Sequence, residues 1–152
     1  MSIKHPIISV TGSSGAGTST VKHTFEQIFR REGITAATIE GDAFHRYDRA
    51  DMKKAMADAG KAGNNNFSHF GPEANLLGEL ETVFKTYGQS GGGKTRHYVH
   101  DDREAEVLKS PPGTFTAWKD IPAGSDLLFY EGLHGAVDRK STRLNSSHVA
   151  LS

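Results

Sequence analysis

The sequence predicts an α/β fold in which a parallel or mixed sheet is flanked by helices. Residues 7–10 form a short β-branched run, residues 21–29 carry apolar side chains at helical spacing, and residues 35–39 form a second β-rich run. A strand, a helix and a strand within about 35 residues are typical of a βαβ unit, whose two strands lie parallel.

The helix of this unit is predicted by four apolar side chains. Val21, Phe25, Ile28 and Phe29 are spaced as i, i+4, i+7 and i+8, so they share one helix face. Gly33 follows a basic pair and a glutamate, which is a suitable C-terminal end for a helix.

Further elements are predicted along the rest of the chain. Residues 49–59 are rich in Ala, Met and Lys and favour a helix, and residues 76–87 repeat Leu, Val, Phe and Tyr at helical spacing. Pro72 precedes this repeat and suits the first turn of a helix, where its missing N–H costs nothing. Residues 98–100 are a candidate short strand, and residues 126–132 are an apolar strand that ends in a carboxylate.

Charge and composition exclude several classes of partner. The 152 residues carry 18 basic and 18 acidic side chains, whereas a protein that tracks phosphate backbones usually has a basic excess. No run approaches the ~18 apolar residues of a membrane helix, and the N-terminus lacks a signal peptide. We therefore expect no nucleic-acid partner, no membrane partner and a cytoplasmic protein. The absence of Cys excludes disulfides and thiolate metal ligands.

A glycine-rich segment between the first strand and the first helix matches the phosphate loop of nucleotide-binding proteins. Glycines let the backbone N–H groups point at phosphate oxygens, and the following helix adds its positive dipole end. Thr18 stands where the standard pattern has Lys, and Ser19 takes the hydroxyl position. A turn that merely caps a helix is the alternative. The predicted nucleotide-binding residues are Gly12, Ser13, Ser14, Gly15, Ala16, Gly17, Thr18, Ser19 and Thr20.

Two carboxylates follow predicted strands, at the sheet edge where open α/β sheets bind ligands. Asp42 could accept a proton from a substrate hydroxyl, and Glu131 could hold Mg²⁺. The nearby cations His45, Arg49 and Lys53 suggest an anionic substrate. The alternatives are a helix-capping Asp, a strand-terminal Glu and a solvated basic helix face.

Five segments together resemble the bacterial phosphoribulokinases of the phosphoribulokinase/uridine kinase family, which have the fold of P-loop nucleoside triphosphate hydrolases. They are residues 7–20, 40–46, 67–70, 95–102 and 129–135. The resemblance covers residues 1–137 and includes Thr18, so the loop without Lys is a feature of the bacterial form.

This resemblance implies that the full-length protein phosphorylates the 1-hydroxyl of ribulose 5-phosphate with ATP and Mg²⁺, giving ribulose 1,5-bisphosphate for the Calvin cycle. It implies a homo-oligomer and a role in allosteric control for Arg31, although an exposed basic pair explains Arg31 equally well. Asp42 would be the base, and Ser19 and Glu131 would hold the metal. The residues implied for the sugar phosphate are His45, Arg49, Lys53, Tyr98 and His100.

The end of the chain departs from the family. Residues 139–152 hold three basic residues, four Ser and no acidic residue. We therefore divide the chain into residues 1–137, the N-terminal part of a phosphoribulokinase-like kinase domain, and residues 138–152, an unmatched and foreign polar tail that we expect to be disordered or an artefact of cloning or assembly. The family continues with further strands, a basic lid and another Asp. We expect the truncated chain to be inactive, with an unpaired sheet edge beside residues 127–130.

Two other functions stay open at this stage. A uridine-kinase-like enzyme shares the architecture, but its loop normally keeps the Lys. A non-catalytic nucleotide-binding fragment is the alternative outside the enzymes, and phosphate release from ATP with and without ribulose 5-phosphate distinguishes it. A GTPase is disfavoured, because the sequence has no Asn-Lys-x-Asp segment for reading guanine.

Overall fold

The computed structural model describes residues 4–12, 17–134 and 146–151, the last range by its backbone alone. In these ranges the strands are β1 (Ile7–Gly12), β2 (Ala36–Glu40), β3 (Lys94–Thr95), β4 (Lys119–Asp120), β5 (Leu127–Gly132) and β6 (Ser146–Leu151). The helices are α1 (Thr18–Glu32), α2 (Arg49–Lys61), α3 (Leu77–Ser90) and α4 (Asp102–Leu108). Short 3₁₀ turns occupy Gly41–Phe44 and Pro72–Ala74.

The main sheet has four parallel strands in the order β2-β5-β1-β6. The predicted βαβ unit is present, but β5 lies between its two strands. Leu128, Phe129 and Tyr130 of β5 are fully buried. The expectation of an unpaired edge beside residues 127–130 is therefore wrong. A strand that is apolar on both faces needs cover on both sides, and the centre of a parallel sheet provides it.

Strand β6 lies within the segment expected to be a disordered tail. It pairs in parallel with β1, from Ile7 opposite Ser146 to Gly12 opposite Leu151. The outer edge of β1 presents a row of N–H and C=O groups, and any extended segment can satisfy them. Backbone pairing does not depend on the side chains of the tail, which explains why composition did not predict this strand.

The sheet has an apolar core on each face. On one face, α1 packs Phe29 against Phe129 of β5 with ring centroids 5.6 Å apart, and Phe25 lies 5.2 Å from the same ring. Ile28, predicted to share this face, is 37 % exposed because it lies at the edge of the apolar stripe. On the other face, α3 buries Leu80, Val83, Phe84 and Tyr87 against Ile7, Leu128 and Tyr130.

The predicted helix after Pro72 is confirmed as α3, but it starts later than expected. Pro72 opens the separate 3₁₀ turn, and Asn75 then takes an extended conformation with φ −131° and ψ 142°. Asn75 therefore lies between the 3₁₀ turn and α3, and it is buried.

Two other segments differ from the sequence prediction. Residues 98–100 do not form a strand, and Tyr98 makes only an isolated bridge to Phe115. Helix α4 was not predicted, because it has no buried residue and therefore no apolar stripe. Among the helices described, none is both long enough and apolar enough to cross a membrane.

Candidate active site

The candidate site lies where β1, β2 and β5 end together. Glu40 stands opposite Glu131 in the register of β2 and β5, so the two strand ends are level. One pocket at this edge is lined by Gly12, Thr18, Ser19, Gly41, Asp42, His45, Asn75, Tyr130, Glu131, Gly132 and His134, with Phe70 and Leu133. The structure thus brings both ends of the phosphate loop to the two predicted carboxylates.

A second cavity, of about 300 Å³, opens next to the first pocket. It shares Asp42 and His45 with that pocket. Arg49, Lys53 and Tyr98 also line it. The sequence-predicted sugar-phosphate residues therefore surround one cavity, and His100 reaches Asp42 at its edge.

Two glycines allow the strand ends to meet. A Cβ on Gly132 would lie 2.8 Å from the Cα of Gly41, and a Cβ on Gly41 would lie 3.0 Å from the Cα of Gly132. The Tyr130 hydroxyl lies beneath both and accepts a hydrogen bond from the backbone N–H of His134. Side chains at either glycine would push apart the segments that carry Asp42 and Glu131.

The phosphate-loop side of the site is described from Gly17 onward. Ser13, Ser14, Gly15 and Ala16 lie outside the described residues, so their predicted role stays a prediction. Gly17 is the N-cap of α1 in the left-handed conformation, with φ 85° and ψ 17°. Thr18 and Ser19 line the pocket at the first turn of α1, whereas Thr20 is exposed and does not line it.

Lys22 is the nearest lysine on α1, one turn beyond Thr18. Its Nζ donates to Oε1 of Glu40 at 2.6 Å. Burial is the largest single influence and opposes the charge on Lys22, but the hydrogen bond to Glu40 and the attraction of the carboxylates of Glu40, Glu26 and Glu131 together outweigh it and raise the pKa of the ammonium. Lys22 is therefore paired with Glu40 in this structure.

Asp42 lies between two imidazole rings. His45 Nε2 is 3.2 Å from Oδ1 of Asp42, and His100 Nε2 is 2.9 Å from Oδ2. The hydrogen bond from His45, helped by the one from His100, outweighs burial and lowers the pKa of Asp42 from 3.8 to about 2. The carboxylate is consequently ionised across the whole neutral range.

Each imidazole also has an outer partner on its Nδ1. His45 Nδ1 lies 2.8 Å from Oδ1 of Asn75, and His100 Nδ1 lies 2.9 Å from Oε2 of Glu104. The hydrogen bond to Asp42 is the main reason that the pKa of His45 is raised. For His100, burial acts against the charge, but the hydrogen bonds to Asp42 and Glu104 prevail and raise its pKa.

Arg96 donates hydrogen bonds to the backbone of the segment that carries Asp42. Its Nε donates to the carbonyl of Ala43 at 2.8 Å and its Nη2 to the carbonyl of His45 at 2.7 Å. The guanidinium is stacked over Phe115 at 3.6 Å and Trp118 at 4.5 Å. A planar cation can donate to carbonyls in its plane while its faces lie against aromatic rings, which lysine cannot do.

Arg49 and Tyr98 also contact His100. Arg49 Nη2 donates to the backbone carbonyl of His100 at 3.0 Å, and the ring of Tyr98 meets that of His100 edge-on at 5.0 Å.

Arg31 lies in the last turn of α1, at the opposite end of that helix from Gly17, where it pairs with Glu32 at 3.0 Å. Its allosteric role stays a prediction.

Sequence reasoning missed Asn75, Glu104 and Arg96. For Glu104 a signal exists, since Asp101 caps α4 by accepting from the N–H of Glu104, while Glu104 accepts from the N–H of His100. An acidic residue three positions after a helix-capping Asp is a capping-box pattern. Asn75 and Arg96 are remote in sequence from the groups they hold, and no local pattern indicates them.

The predicted metal ligands fit a magnesium ion chemically. Ser19 and Glu131 line the same pocket, beside the end of β1 and the start of α1. A hydroxyl and a carboxylate are hard oxygen donors, and Mg²⁺ prefers to combine one or two such ligands with water and phosphate oxygens.

A model of the phosphoribulokinase/uridine kinase family matches residues 7–151. Two similar curated proteins are a phosphoribulokinase from Nitrobacter vulgaris, 66 % identical over 134 residues, and phosphoribulokinase 1 from Cereibacter sphaeroides, 66 % identical over 137 residues. These alignments cover 88 % and 90 % of this chain but only 46 % and 47 % of the relatives. The chain therefore spans less than half the length of these relatives.

Two solved structures are also similar to this chain. A phosphoribulokinase from Rhodobacter spheroides aligns with a TM-score of 0.77 and 60 % identity, over 89 % of this chain and 45 % of that chain. A possible uridine kinase from Bacillus stearothermophilus aligns with a TM-score of 0.64 over 96 % of this chain and 70 % of that chain. At 19 % identity the second likeness concerns the fold alone.

Proposed function

We propose, since this chain belongs to the phosphoribulokinase/uridine kinase family, that it carries the phosphate loop, base and sugar-phosphate cleft of an enzyme that phosphorylates ribulose 5-phosphate with ATP. The product would be ribulose 1,5-bisphosphate, which places the reaction in the Calvin cycle. A cytoplasmic homo-oligomer that needs Mg²⁺ completes the proposal. The names of the relatives support the substrate, because both curated relatives described above are called phosphoribulokinase.

One observation carries the proposal. Asp42 lies at the junction of two cavities, one beside the first turn after the phosphate loop and one lined by Arg49 and Lys53. A phosphoryl donor and an anionic acceptor bound in these cavities would meet at Asp42. Phosphoryl transfer depends chiefly on such positioning and on charge stabilisation, because the protein forms no covalent bond itself.

Asp42 is suited to receive the proton of the attacking hydroxyl. Its two oxygens each accept one imidazole N–H, which leaves each oxygen a further lone pair for a substrate hydroxyl. The low pKa of about 2 makes Asp42 a weak base that is always ionised. A weak base is sufficient where the transition state is loose and the proton leaves late.

The remaining residues bind and orient. Arg49 and Lys53 would bind the phosphate of the sugar, because charge-assisted hydrogen bonds to phosphate are stronger than neutral ones. The backbone of residues 13–18 would bind the ATP phosphates. Ser19 and Glu131 would hold Mg²⁺, which when bound supplies charge neutralisation on the phosphate oxygens.

The test is turnover in a longer protein that joins residues 1–137 to the second half of the Cereibacter sphaeroides relative. We expect this protein to make ribulose 1,5-bisphosphate, and Asp42→Asn to lower its turnover by about 10²–10⁴-fold, the usual contribution of a positioned base. Asp58→Asn, an exposed change on α2, is the matched control and leaves turnover unchanged.

Three outcomes would contradict the proposal. Asp42→Asn with unaltered turnover would remove the base assignment. Preference for uridine over ribulose 5-phosphate would favour the uridine-kinase alternative. Phosphate release from ATP that is the same with and without ribulose 5-phosphate would indicate a module that only binds nucleotide.

A further inference from the structure

We propose that Asn75 and Glu104 are positioning residues that hold His45 and His100 as imidazolium cations, in which Nδ1–H faces the outer residue and Nε2–H is directed at Asp42. This inference deepens the proposed function and rests on it, since Asp42 is the proposed base. Neither Asn75 nor Glu104 belongs to the predicted substrate residues, and each acts through a histidine.

The orientation of Asn75 follows from its own hydrogen bonds. Asn75 is only 3 % exposed, and its Nδ2 donates to the carbonyls of His69 at 2.9 Å and Gly71 at 2.7 Å. Both acceptors require the NH₂ group on that side, so the amide oxygen faces His45. An amide oxygen can only accept, and His45 Nδ1 must therefore carry a proton.

The same logic applies on the other side of Asp42. Oε2 of Glu104 accepts from the backbone N–H of His100 at 2.8 Å and faces His100 Nδ1 at 2.9 Å. A carboxylate accepts only, so this Nδ1 also carries a proton. Asp101 caps α4 and fixes the start of the helix on which Glu104 stands.

The two constraints determine the charge of each ring. Asp42 is an acceptor on one side of each imidazole, while Asn75 or Glu104 is an acceptor on the other. A neutral imidazole has a single N–H and can satisfy only one of its two partners. Both contacts of a ring form together only when that ring is a cation, so the outer residues favour the protonated form of both rings, whose charges the carboxylates of Asp42 and Glu104 partly balance.

Other charged groups also face the rings. Arg96, which binds the carbonyl of His45, and His134 beside the end of β5 both act against a positive charge on His45. The Arg49 guanidinium lies on the carbonyl of His100. The attraction of the acceptors Asp42, Asn75 and Glu104 must exceed the repulsion from these cations for the rings to stay protonated. The loss of one acceptor should therefore change the titration midpoint of the ring that it contacts.

The experiment follows the ¹⁵N shifts of both imidazoles against pH in the 152-residue chain. We expect both rings to titrate above the ordinary value of 6.5. Glu104→Gln keeps an acceptor oxygen but removes the charge, and should lower the midpoint of His100 by about one pH unit. His45 should move much less. Glu106→Gln, an exposed change on the same helix, is the matched control and moves neither ring.

Asn75 is tested by two changes of opposite sign. Asn75→Asp strengthens the acceptor and should raise the midpoint of His45, whereas Asn75→Leu removes it and should lower the midpoint. General damage to the fold cannot shift one ring in opposite directions. If neither variant folds, protection of the His45 Nδ1 proton from solvent exchange at pH 5.5 in the unaltered chain supports the proposal, and rapid exchange overturns it.

Two further results would overturn the proposal. One is a titration midpoint of His100 that does not change in Glu104→Gln. The other is a titration midpoint of His45 that shifts in the same direction in both Asn75 variants. The readout involves no substrate, so it separates this inference from the proposed function. Expected midpoints, together with a longer protein that does not phosphorylate ribulose 5-phosphate, would refute the proposed function and support the positioning roles.

Discussion

The two cavities that meet at Asp42 differ in the kind of group they offer to phosphate. The cavity beside Thr18 and Ser19 has no Lys or Arg among its described lining residues. The cavity beside Tyr98 is lined by Arg49 and Lys53 and bordered by two imidazoles. We therefore propose that one side would bind phosphate through backbone N–H groups and a helix end, while the other would bind it through charged side chains.

This difference predicts two kinds of sensitivity to mutation. Backbone N–H groups are positioned by φ and ψ, so the phosphate-loop side should tolerate side-chain loss and be intolerant of altered backbone geometry. The other side should respond to the removal of single charges and of the residues that orient them. The predictions below test this contrast.

The largest effect is expected from Gly17→Val. Gly17 caps α1 at φ 85°, a conformation that costs a β-branched residue roughly 1–3 kcal/mol. Relief of this strain would turn the N–H groups of the loop away from the phosphates. We expect ATP binding, measured by calorimetry, to fall by more than about 100-fold.

The matched control for this prediction is Gly33→Val. Gly33 has φ 68° at the other end of α1, and nothing lies within 4 Å of an added Cβ. The strain is thus similar but far from the phosphates. If Gly33→Val weakens ATP binding as much as Gly17→Val does, the effect reflects stability of α1 rather than the loop.

The next effect concerns the charged cavity. Lys53→Met removes one lining ammonium and should weaken binding of ribulose 5-phosphate about tenfold, the value of one charge-assisted hydrogen bond near 1.5 kcal/mol. Lys54→Met on the same helix does not touch the cavity and serves as the control. Equal losses in both variants would show that only the general charge of α2 matters. ATP affinity should stay unchanged in each.

The sequence allowed prediction of the parts that depend on local periodicity. The apolar stripe of α3 and the strand β1 each follow from residues that are close together in the chain, and the structure contains both elements. The glycine-rich turn was predicted in the same way, but residues 13–16 lie outside the described residues. The carboxylates Asp42 and Glu131 were predicted from their positions at strand ends, and the structure places Asp42 just after β2 and Glu131 at the end of β5. Strands of an open sheet end at one edge, so the site could be located before the strand order was known.

Other features depend on contacts that no local pattern encodes. The place of β5 between β1 and β2 results from packing on both sheet faces. The pairing of β6 results from the backbone N–H and C=O groups along the outer edge of β1. Asn75 lies 30 residues from His45, and Arg96 lies more than 50 residues from the carbonyls it binds. Residues that orient other residues are therefore the part of the site that sequence reasoning missed.

The charged side should also depend on pH. Asp42 has a lowered pKa, so its contribution to stability is full above 3.8 and is lost as the pH falls towards 2. His45 and His100 have raised pKa values, so their contribution is full below 6.5 and is lost as the pH rises through those values. We therefore expect Asp42→Asn to lower the free energy of unfolding most between these limits and least at pH 9.

Urea unfolding at pH 5 and pH 9 measures this prediction. Asp58→Asn on α2 is the control and should show the same stability change at both values, because it contacts neither imidazole. A loss for Asp42→Asn that is the same at pH 5 and pH 9 would mean that the rings do not act as cations towards Asp42.

The smallest effect is expected from Thr18→Ala. Thr18 occupies the position where related loops carry a lysine, but a hydroxyl has no charge, and one neutral hydrogen bond contributes about 0.5–1.5 kcal/mol. The loss of ATP affinity should therefore be between about twofold and tenfold, far below that for Gly17→Val. Thr24→Ala, the same change two turns along α1, has its hydroxyl on the carbonyl of Thr20 and should leave ATP affinity unaltered. If Thr18→Ala abolishes binding, the side chain rather than the backbone holds the phosphates, and the contrast between the two cavities does not hold.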